Sequence, residues 1–405
     1  MALLTGGGDR PYAFGLAKAL TGKGVGLDVI GSDELDFPEF HGTPGINFLN
    51  LRGDQRPDAG LINKVLRVLR YYARLVRYAM TARPRIFHIL WNNKFEYFDR
   101  TLLMGHYKLL RKKIVLTVHN VNIGARDATD TTLNRLTLRL QYRLADHLFV
   151  HTEKMKSQIV DASGVHPERV TVIPFGINNS VPNTHLSPSQ AKERLGIRAS
   201  EKAILFFGNI APYKGLEHLV AAFQQIRTEH DSYRLIIAGR PKQCEAYWGP
   251  IRQAIREDVE GGRIVLRDDF VPDEETEIYF KAADVLVLPY THIFQSGVLF
   301  LGYSFGLPVI ASDVGSLKED IVEGKTGYLC RARDPVDLAR SLRTYFASDL
   351  YKQLDTRRQE IRSFANHRHS WETVAQTTCA VYQQLGGHAR KQLVTSEPVV
   401  TNSAP

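Results

Sequence analysis

The sequence predicts an α/β chain of two domains, each built on a parallel sheet, and three observations carry that prediction. An apolar run, a glycine-bearing loop and an amphipathic segment follow one another over residues 2–21 and again over 203–226. Between these repeats the stretch PFGINNSVPNTHL, residues 174–186, interrupts helical and strand periodicity alike with proline, asparagine and glycine. The 405 residues, 43% of them apolar, suffice for two cores of ordinary size. The expected division is a first domain over 1–175, a linker over 176–186, a second domain over 187–363, a closing helix over 364–388 and a disordered tail over 389–405.

In the first half, residues 2–5 are the first expected strand, Gly6, Gly7 and Gly8 a turn, and 12–21 a helix with Pro11 in its first turn. GGGDR lacks the GxGxxG spacing of a dinucleotide fingerprint. On the residues alone its glycines read as a chain reversal. Strands are expected at 27–30 and 46–51. From 61 to 80 the spacing turns helical, with Arg67, Arg70, Arg74 and Arg77 on one face and Leu61, Val65, Val68, Leu69, Tyr72, Leu75 and Val76 on the opposite, packed one. Residues 61–113 hold 13 basic side chains against 2 acidic ones. That patch reads either as a solvated face or as a surface that docks on anionic lipid. No RNA-binding aromatic motif or DNA-reading helix pair accompanies it, so nucleic acid is not an expected partner.

RIFHIL (85–90) and IVLTV (114–118) are buried-strand candidates that feed the polar segments WNN and HNVN. Ligands of open parallel sheets gather at such strand ends, which singles out His119 and Asn120 and, in the next loop, Arg126. A helix is expected at 133–144 and a strand at 145–150, with His151, Thr152 and Glu153 capping the helix that follows.

In the second half a strand at 203–207 runs into GNIAPYKG, which carries Asn209 and Lys214, and a helix at 216–226; further strands are expected at 234–238 and 263–266. The most informative stretch is 285–328, VLVLPYTHIFQSGVLFLGYSFGLPVIASDVGSLKEDIVEGKTGY, which reads strand, loop, helix, strand. A loop that leaves a buried strand and opens a helix at Ser296 and Gly297 points free amides outward, where the helix dipole favours an anion such as a diphosphate. Amphipathic helices are expected at 334–348 and 350–363.

The order PY, QSG, GLPVIASDVG, E, G-TG resembles the carboxy-terminal signature of the group 1 glycosyltransferases, family 4 of the retaining enzymes. TVHN followed by AR, LNR, YRLADHLFVHTE and VIPFGIN is similar to that family's amino-terminal domain. The resemblance implies the GT-B fold: two Rossmann-like domains facing a cleft, with the closing helix SWETVAQTTCAVYQQL crossing back to the first. It implies hexosyl transfer from a UDP- or GDP-type nucleotide sugar to a glycan or lipid-linked acceptor in polysaccharide biosynthesis, with no separate cofactor and no metal. His119, reaching the donor sugar, and Lys214, neutralising the diphosphate, become the catalytic candidates. Gly7, Gly8, Asn209, Gln295, Ser296, Gly297 and Val298 become donor-binding candidates, and Asn120 and Arg126 acceptor-side ones. Two departures accompany the resemblance. Ile293 and Leu301 stand where the family carries its two glutamates, and Asn209 stands where it carries an arginine. They keep a second class open, a degenerate member that binds a nucleotide sugar or glycan without turnover, beside a third, a nucleotide-sugar epimerase or sugar-phosphate synthase of the same fold.

Three widely spaced cysteines (Cys244, Cys330, Cys379) form neither a disulfide framework nor a zinc pattern, which points to a reducing cytoplasm. The formal charge of +9 lies wholly in the first half: residues 1–175 hold 25 Lys+Arg and 16 Asp+Glu, residues 176–405 hold 27 of each. The expected location is therefore cytoplasmic, with peripheral contact to the inner face of a membrane through Arg67, Arg70, Arg74 and Arg77.

Overall fold

The structure, a computed structural model, describes residues 1–387 apart from 8, 56–59, 123, 125–129, 179–180 and 243, and only the backbone of Leu61. Gly8, Arg126 and the expected tail at 389–405 lie outside the described residues. Seven strands, β1 (Ala2–Leu4), β2 (Leu27–Gly31), β3 (Ile46–Asn50), β4 (Ile86–Ile89), β5 (Lys113–Thr117), β6 (His147–Val150) and β7 (Val170–Val172), form one sheet in the order β3-β2-β1-β4-β5-β6-β7. Six more, β8 (Lys202–Phe207), β9 (Tyr233–Ala238), β10 (Ile264–Arg267), β11 (Val285–Leu288), β12 (Val309–Ser312) and β13 (Gly327–Cys330), form a second sheet in the order β10-β9-β8-β11-β12-β13.

The pairings are parallel, and the central strands are buried on both faces, which is why they read as continuous apolar runs rather than alternating ones. Each sheet reverses its order once, between β1 and β4 and between β8 and β11. At such switch points the loops from adjacent strand ends diverge and leave room for a ligand. By compactness the chain divides into a unit of Met1–Thr117, Leu140–Phe149 and the residues from Ala375 on, and a unit of Val118–Arg139 and Val150–Val374.

In the first unit the opening helix runs over Arg10–Gly22, with the Asp9 carboxylate accepting from the Tyr12 amide at 2.9 Å. The closing helix, Trp371–Gly386, places Tyr382 against the middle of the first sheet. Its hydroxyl lies 2.6 Å from His88 Nδ1, whose Nε2 lies 2.7 Å from Thr117 Oγ1. Burial pushes His88 down to about 3, so this bridge is neutral at physiological pH.

The Leu61–Thr81 helix corrects the expected packing face. Tyr71, Tyr72, Leu75 and Ala79 are buried, whereas Val65 and Leu69 face solvent. Helical spacing alone locates an apolar stripe and does not say which part of it a neighbour covers. β7 is a further difference: three residues, VTV, are too short for a periodic signal.

Candidate functional site

In the second sheet the switch point brings two loops together. The loop after β8 closes in a turn over Pro212–Lys214, and the loop after β11 opens the Gly297–Ser304 helix. The Thr291 amide donates to Tyr213 O (2.8 Å), which ties the loops to each other. Gly215 makes the approach close: its φ is +62°, and a Cβ there would stand 2.1 Å from Pro289 O.

Lys214 is the chemical centre of this arrangement. Its side chain is only 6% exposed, and among the described residues it has neither a carboxylate partner nor a hydrogen-bond acceptor. The ammonium lies 5.5 Å from the ring centre of Tyr290 and 6.0 Å from that of Phe206. Burial, with a smaller like-charge contribution from Lys242, lowers its pKa to about 8. A buried cation held this way is costly unless an anion arrives to pair with it.

The start of the Gly297–Ser304 helix stands close to this ammonium. Its N-cap, Ser296, is buried and makes no side-chain cap; Ser296 Oγ lies instead 3.2 Å from Tyr290 OH. The first amides of the helix therefore lack a side-chain acceptor among the described residues. A Cβ added at Gly297 would meet nothing within 4 Å, whereas one added at Gly208 would lie 2.9 Å from Lys214 Nζ and 3.4 Å from Val298 Cγ2. The ammonium, Val298 and the open ground above Gly297 thus belong to one locus. Asn209 is exposed in the loop beside it.

Gln295 does not present its amide nitrogen to that locus. Nε2 donates to Asp320 Oδ2 at 3.0 Å, and Oε1 is buried without a partner among the described residues. Asp320 Oδ1 in turn stands 3.7 Å from His369 Nε2. Burial raises Asp320 to about 7 and lowers His369 to about 4, so near neutrality aspartic acid and imidazole stand beside each other uncharged or half charged. Ile293 and Leu301, at the positions of the family's carboxylates, are core residues, 8% and 7% exposed, packed in the apolar cluster of the second unit.

His119 follows β5 and pairs with His151, a residue the sequence reading gave only a capping role. Thr152 is the cap, accepting from the Met155 amide at 3.2 Å. His151 Nδ1 lies 3.2 Å from Ile173 O, and a carbonyl only accepts, so Nδ1 carries the proton. Burial lowers His151 to about 4, which leaves its Nε2 as an acceptor for the proton on His119 Nδ1, 3.1 Å away. His119 is thereby held as the Nδ1–H tautomer. Nitrogen-15 NMR of His119 is expected to show that tautomer and to show the Nε2–H form in His151→Leu; an unchanged tautomer in the variant would remove His151 from this role. Asn120 Oδ1 is buried without a partner among the described residues.

In the first unit, Gly7 (φ +74°) lies under the guanidinium of Arg52: a Cβ there would sit 2.1 Å from Nη1, which donates to Gly6 O at 2.6 Å. The glycine turn is thus shaped at least in part by a cation brought from β3's far end, which spacing could not reveal. Arg70, Arg74 and Arg77 are exposed as expected, whereas Arg67 is half-buried and stands 3.5 Å from Asp54. Among the described residues no three His, Cys, Asp or Glu side chains gather as a metal site.

Two family models cover most of the chain: Glycosyltransferase Family 4 over residues 6–181 and Glycosyl transferases group 1 over residues 201–348. The chain belongs to the group 1 glycosyltransferases. A D-inositol 3-phosphate glycosyltransferase of Acidothermus cellulolyticus is 26% identical over 246 residues, 59% of this chain and 53% of that protein; the chain spans about half the length of such curated relatives. Among solved structures, the sucrose-phosphate synthase of Thermosynechococcus elongatus superimposes with a TM-score of 0.77 at 19% identity, covering 96% of this chain and 99% of the other. HepE of Anabaena in complex with UDP-glucose gives 0.72 at 18% identity, covering 95% and 100%. These likenesses establish the GT-B architecture of this family member. Among its site features, His151, Asp320, His369 and Arg52 escaped the sequence reading, because each acts through a partner distant in the chain.

Proposed function

We propose that the chain transfers a hexose-like sugar, with retention at C1, from a nucleoside-diphosphate sugar of the UDP or GDP type to a glycan or lipid-linked acceptor in polysaccharide biosynthesis. The observation that carries this reading is the buried, anion-less ammonium of Lys214 beside the uncapped start of the Gly297–Ser304 helix. A diphosphate placed there meets the first amides of the helix and the ammonium, and its charge is stabilised as the bond to the sugar breaks. The C1–O bond to the diphosphate opens, the acceptor oxygen bonds to C1, and the acceptor's proton passes to a phosphate oxygen of the departing group. That route asks for no carboxylate nucleophile, in keeping with apolar Ile293 and Leu301. His119 is assigned to the sugar, and Asn120 and Arg126 to the acceptor.

A thermal-shift and calorimetric panel of UDP-, GDP-, ADP- and TDP-sugars, each beside its free diphosphate, tests the reading. UDP comes first, because the Anabaena structure of like fold holds UDP-glucose; inositol phosphate is the first acceptor to try, after the relative's name. Stabilisation by one nucleotide series supports the donor site, and no response to any of them would sink it. Donor binding with no consumption in the presence of acceptors would favour the degenerate binding protein suggested by Ile293, Leu301 and Asn209.

The same proposal places the protein in the cytoplasm, in peripheral contact with anionic lipid through Arg67, Arg70, Arg74 and Arg77. Each cation close to such a surface contributes about 1 kcal/mol. Among the described residues no helix is long and apolar enough to cross a membrane, so the proposed contact is superficial.

A further inference from the structure

The Leu61–Thr81 helix carries three separate stripes. Its buried arc is Tyr71, Tyr72, Leu75 and Ala79. A second arc, made of Ile62, Val65, Leu66, Leu69 and Met80, is apolar and exposed, at 76%, 51%, 42%, 58% and 64%. At 100° per residue these five side chains fall within about 100° of one another, in a sector that does not overlap the buried one. The third stripe, Arg70, Arg74 and Arg77, is exposed and flanks the apolar ridge on one side. Single exposed leucines need no explanation, but five large apolar side chains in one row do.

We infer that this ridge inserts into the headgroup boundary of an anionic membrane leaflet while the arginines beside it engage the lipid phosphates. The inference deepens the membrane contact of the proposed function and rests on it: charge alone adsorbs a protein, whereas the ridge makes the contact partly apolar. Charge complementarity selects the occupant. In residues 61–113 the acidic side chains are Glu96 and Asp99, the first paired with Arg100 and the second accepting from Tyr72 and the Asn93 amide, so neither opposes the arginine row. A second copy of the chain meeting this ridge antiparallel, across a two-fold axis perpendicular to the helix, would set one arginine row beside the other, a like-charge contact that anionic lipid relieves. Nucleic acid would satisfy the arginines and leave the ridge in water. An amphipathic helix with a basic flank lies in the interface plane with its apolar face about 5–10 Å into the headgroup region. Phe95, also exposed, stacks on Tyr72 of the buried arc with ring centroids 5.9 Å apart.

The test is co-flotation of the full chain with vesicles of equal parts phosphatidylcholine and phosphatidylglycerol, and with phosphatidylcholine alone, at low salt and at about 0.5 M salt, where charge is screened within a few ångströms. Wild type is expected to bind the anionic vesicles and to keep a measurable part of that binding at high salt. The double variant Ile62→Ser, Leu69→Ser is expected to lose the salt-resistant part and at least tenfold in affinity. The triple variant Arg70→Gln, Arg74→Gln, Arg77→Gln is expected to lose the salt-sensitive part. In Leu66→Trp the introduced indole is expected to shift to shorter emission wavelength on binding and to be quenched by brominated lipid. All substituted positions are exposed, and circular dichroism is to be used to check that each variant folds. Serine variants that bind like wild type, with an unquenched indole, would overturn insertion while leaving charge-driven adsorption standing. Failure of wild type to bind anionic vesicles at any salt would overturn both. Light scattering that shows a concentration-dependent dimer, abolished by the serine variants with vesicle binding intact, would make the ridge a contact between copies and overturn the inference.

Discussion

Lys214→Ala is expected to weaken nucleoside-diphosphate binding by one to two orders of magnitude, the largest functional effect of any single substitution in the chain. A charge-assisted hydrogen bond contributes about 1.5–3 kcal/mol, which corresponds to roughly 10- to 150-fold in affinity. The ammonium is buried beside the helix start, so solvent screens little of that interaction. Its pH dependence follows from the same burial. With a folded-state value near 8, below the 10.5 of a free lysine, the side chain is charged below about pH 8 and loses its proton above it. Affinity for the diphosphate should therefore be full below pH 8 and fall as pH rises through that value, and the fall should vanish in Lys214→Ala. The unliganded protein should show the opposite trend. Between the folded and unfolded values the unfolded state holds more protons, so stability rises with pH across that window. Calorimetric titration across that range reads the first effect, and denaturant unfolding reads the second. Equal affinities in wild type and variant would remove Lys214 from the site.

Gly215→Ala is expected to destabilise the protein by about 3 kcal/mol or more, because two penalties coincide. An L-residue in the left-handed region costs roughly 1–2 kcal/mol. The added Cβ also collides with the backbone oxygen of Pro289 at 2.1 Å, and a backbone atom at the end of a buried strand cannot move aside cheaply. For a unit of this size the melting temperature should drop by about 10 °C. Because Tyr213 and Thr291 tie the same two loops together, the variant should also lose nucleotide affinity even where it remains folded. A melting temperature within a degree or two of wild type would show that the loops part without penalty.

Much of this molecule is legible in one dimension. Strands β1, β4, β5, β8 and β11 are short apolar runs that end in polar or glycine-bearing loops, and sequence reading finds each within a residue or two. The helix start at Ser296 and Gly297 and the lysine before Gly215 are legible for the same reason, since both depend on what immediately precedes and follows them. Leu61–Thr81 marks the limit. Its period fixed the helix and its arginine stripe, but the apolar stripe proved wider than the face its neighbours cover.

What the sequence by itself determined was therefore local: the two repeats of strand, loop and helix, the charge confined to the first half, and the helix start at Ser296 and Gly297. What only the tertiary structure decided was pairing over distance. It set β8 beside β11 and so placed Lys214, which lies 82 residues before Ser296, at that helix start. It also set His151 against His119, Asp320 against Gln295, and Arg52 over Gly7. The physical reason is that backbone propensity and periodicity act over a few residues, whereas burial and the desolvation it imposes depend on every segment packed around a side chain. An unpaired ammonium, a raised carboxyl and a fixed imidazole tautomer are all consequences of burial, and burial is settled only when the sheets have formed.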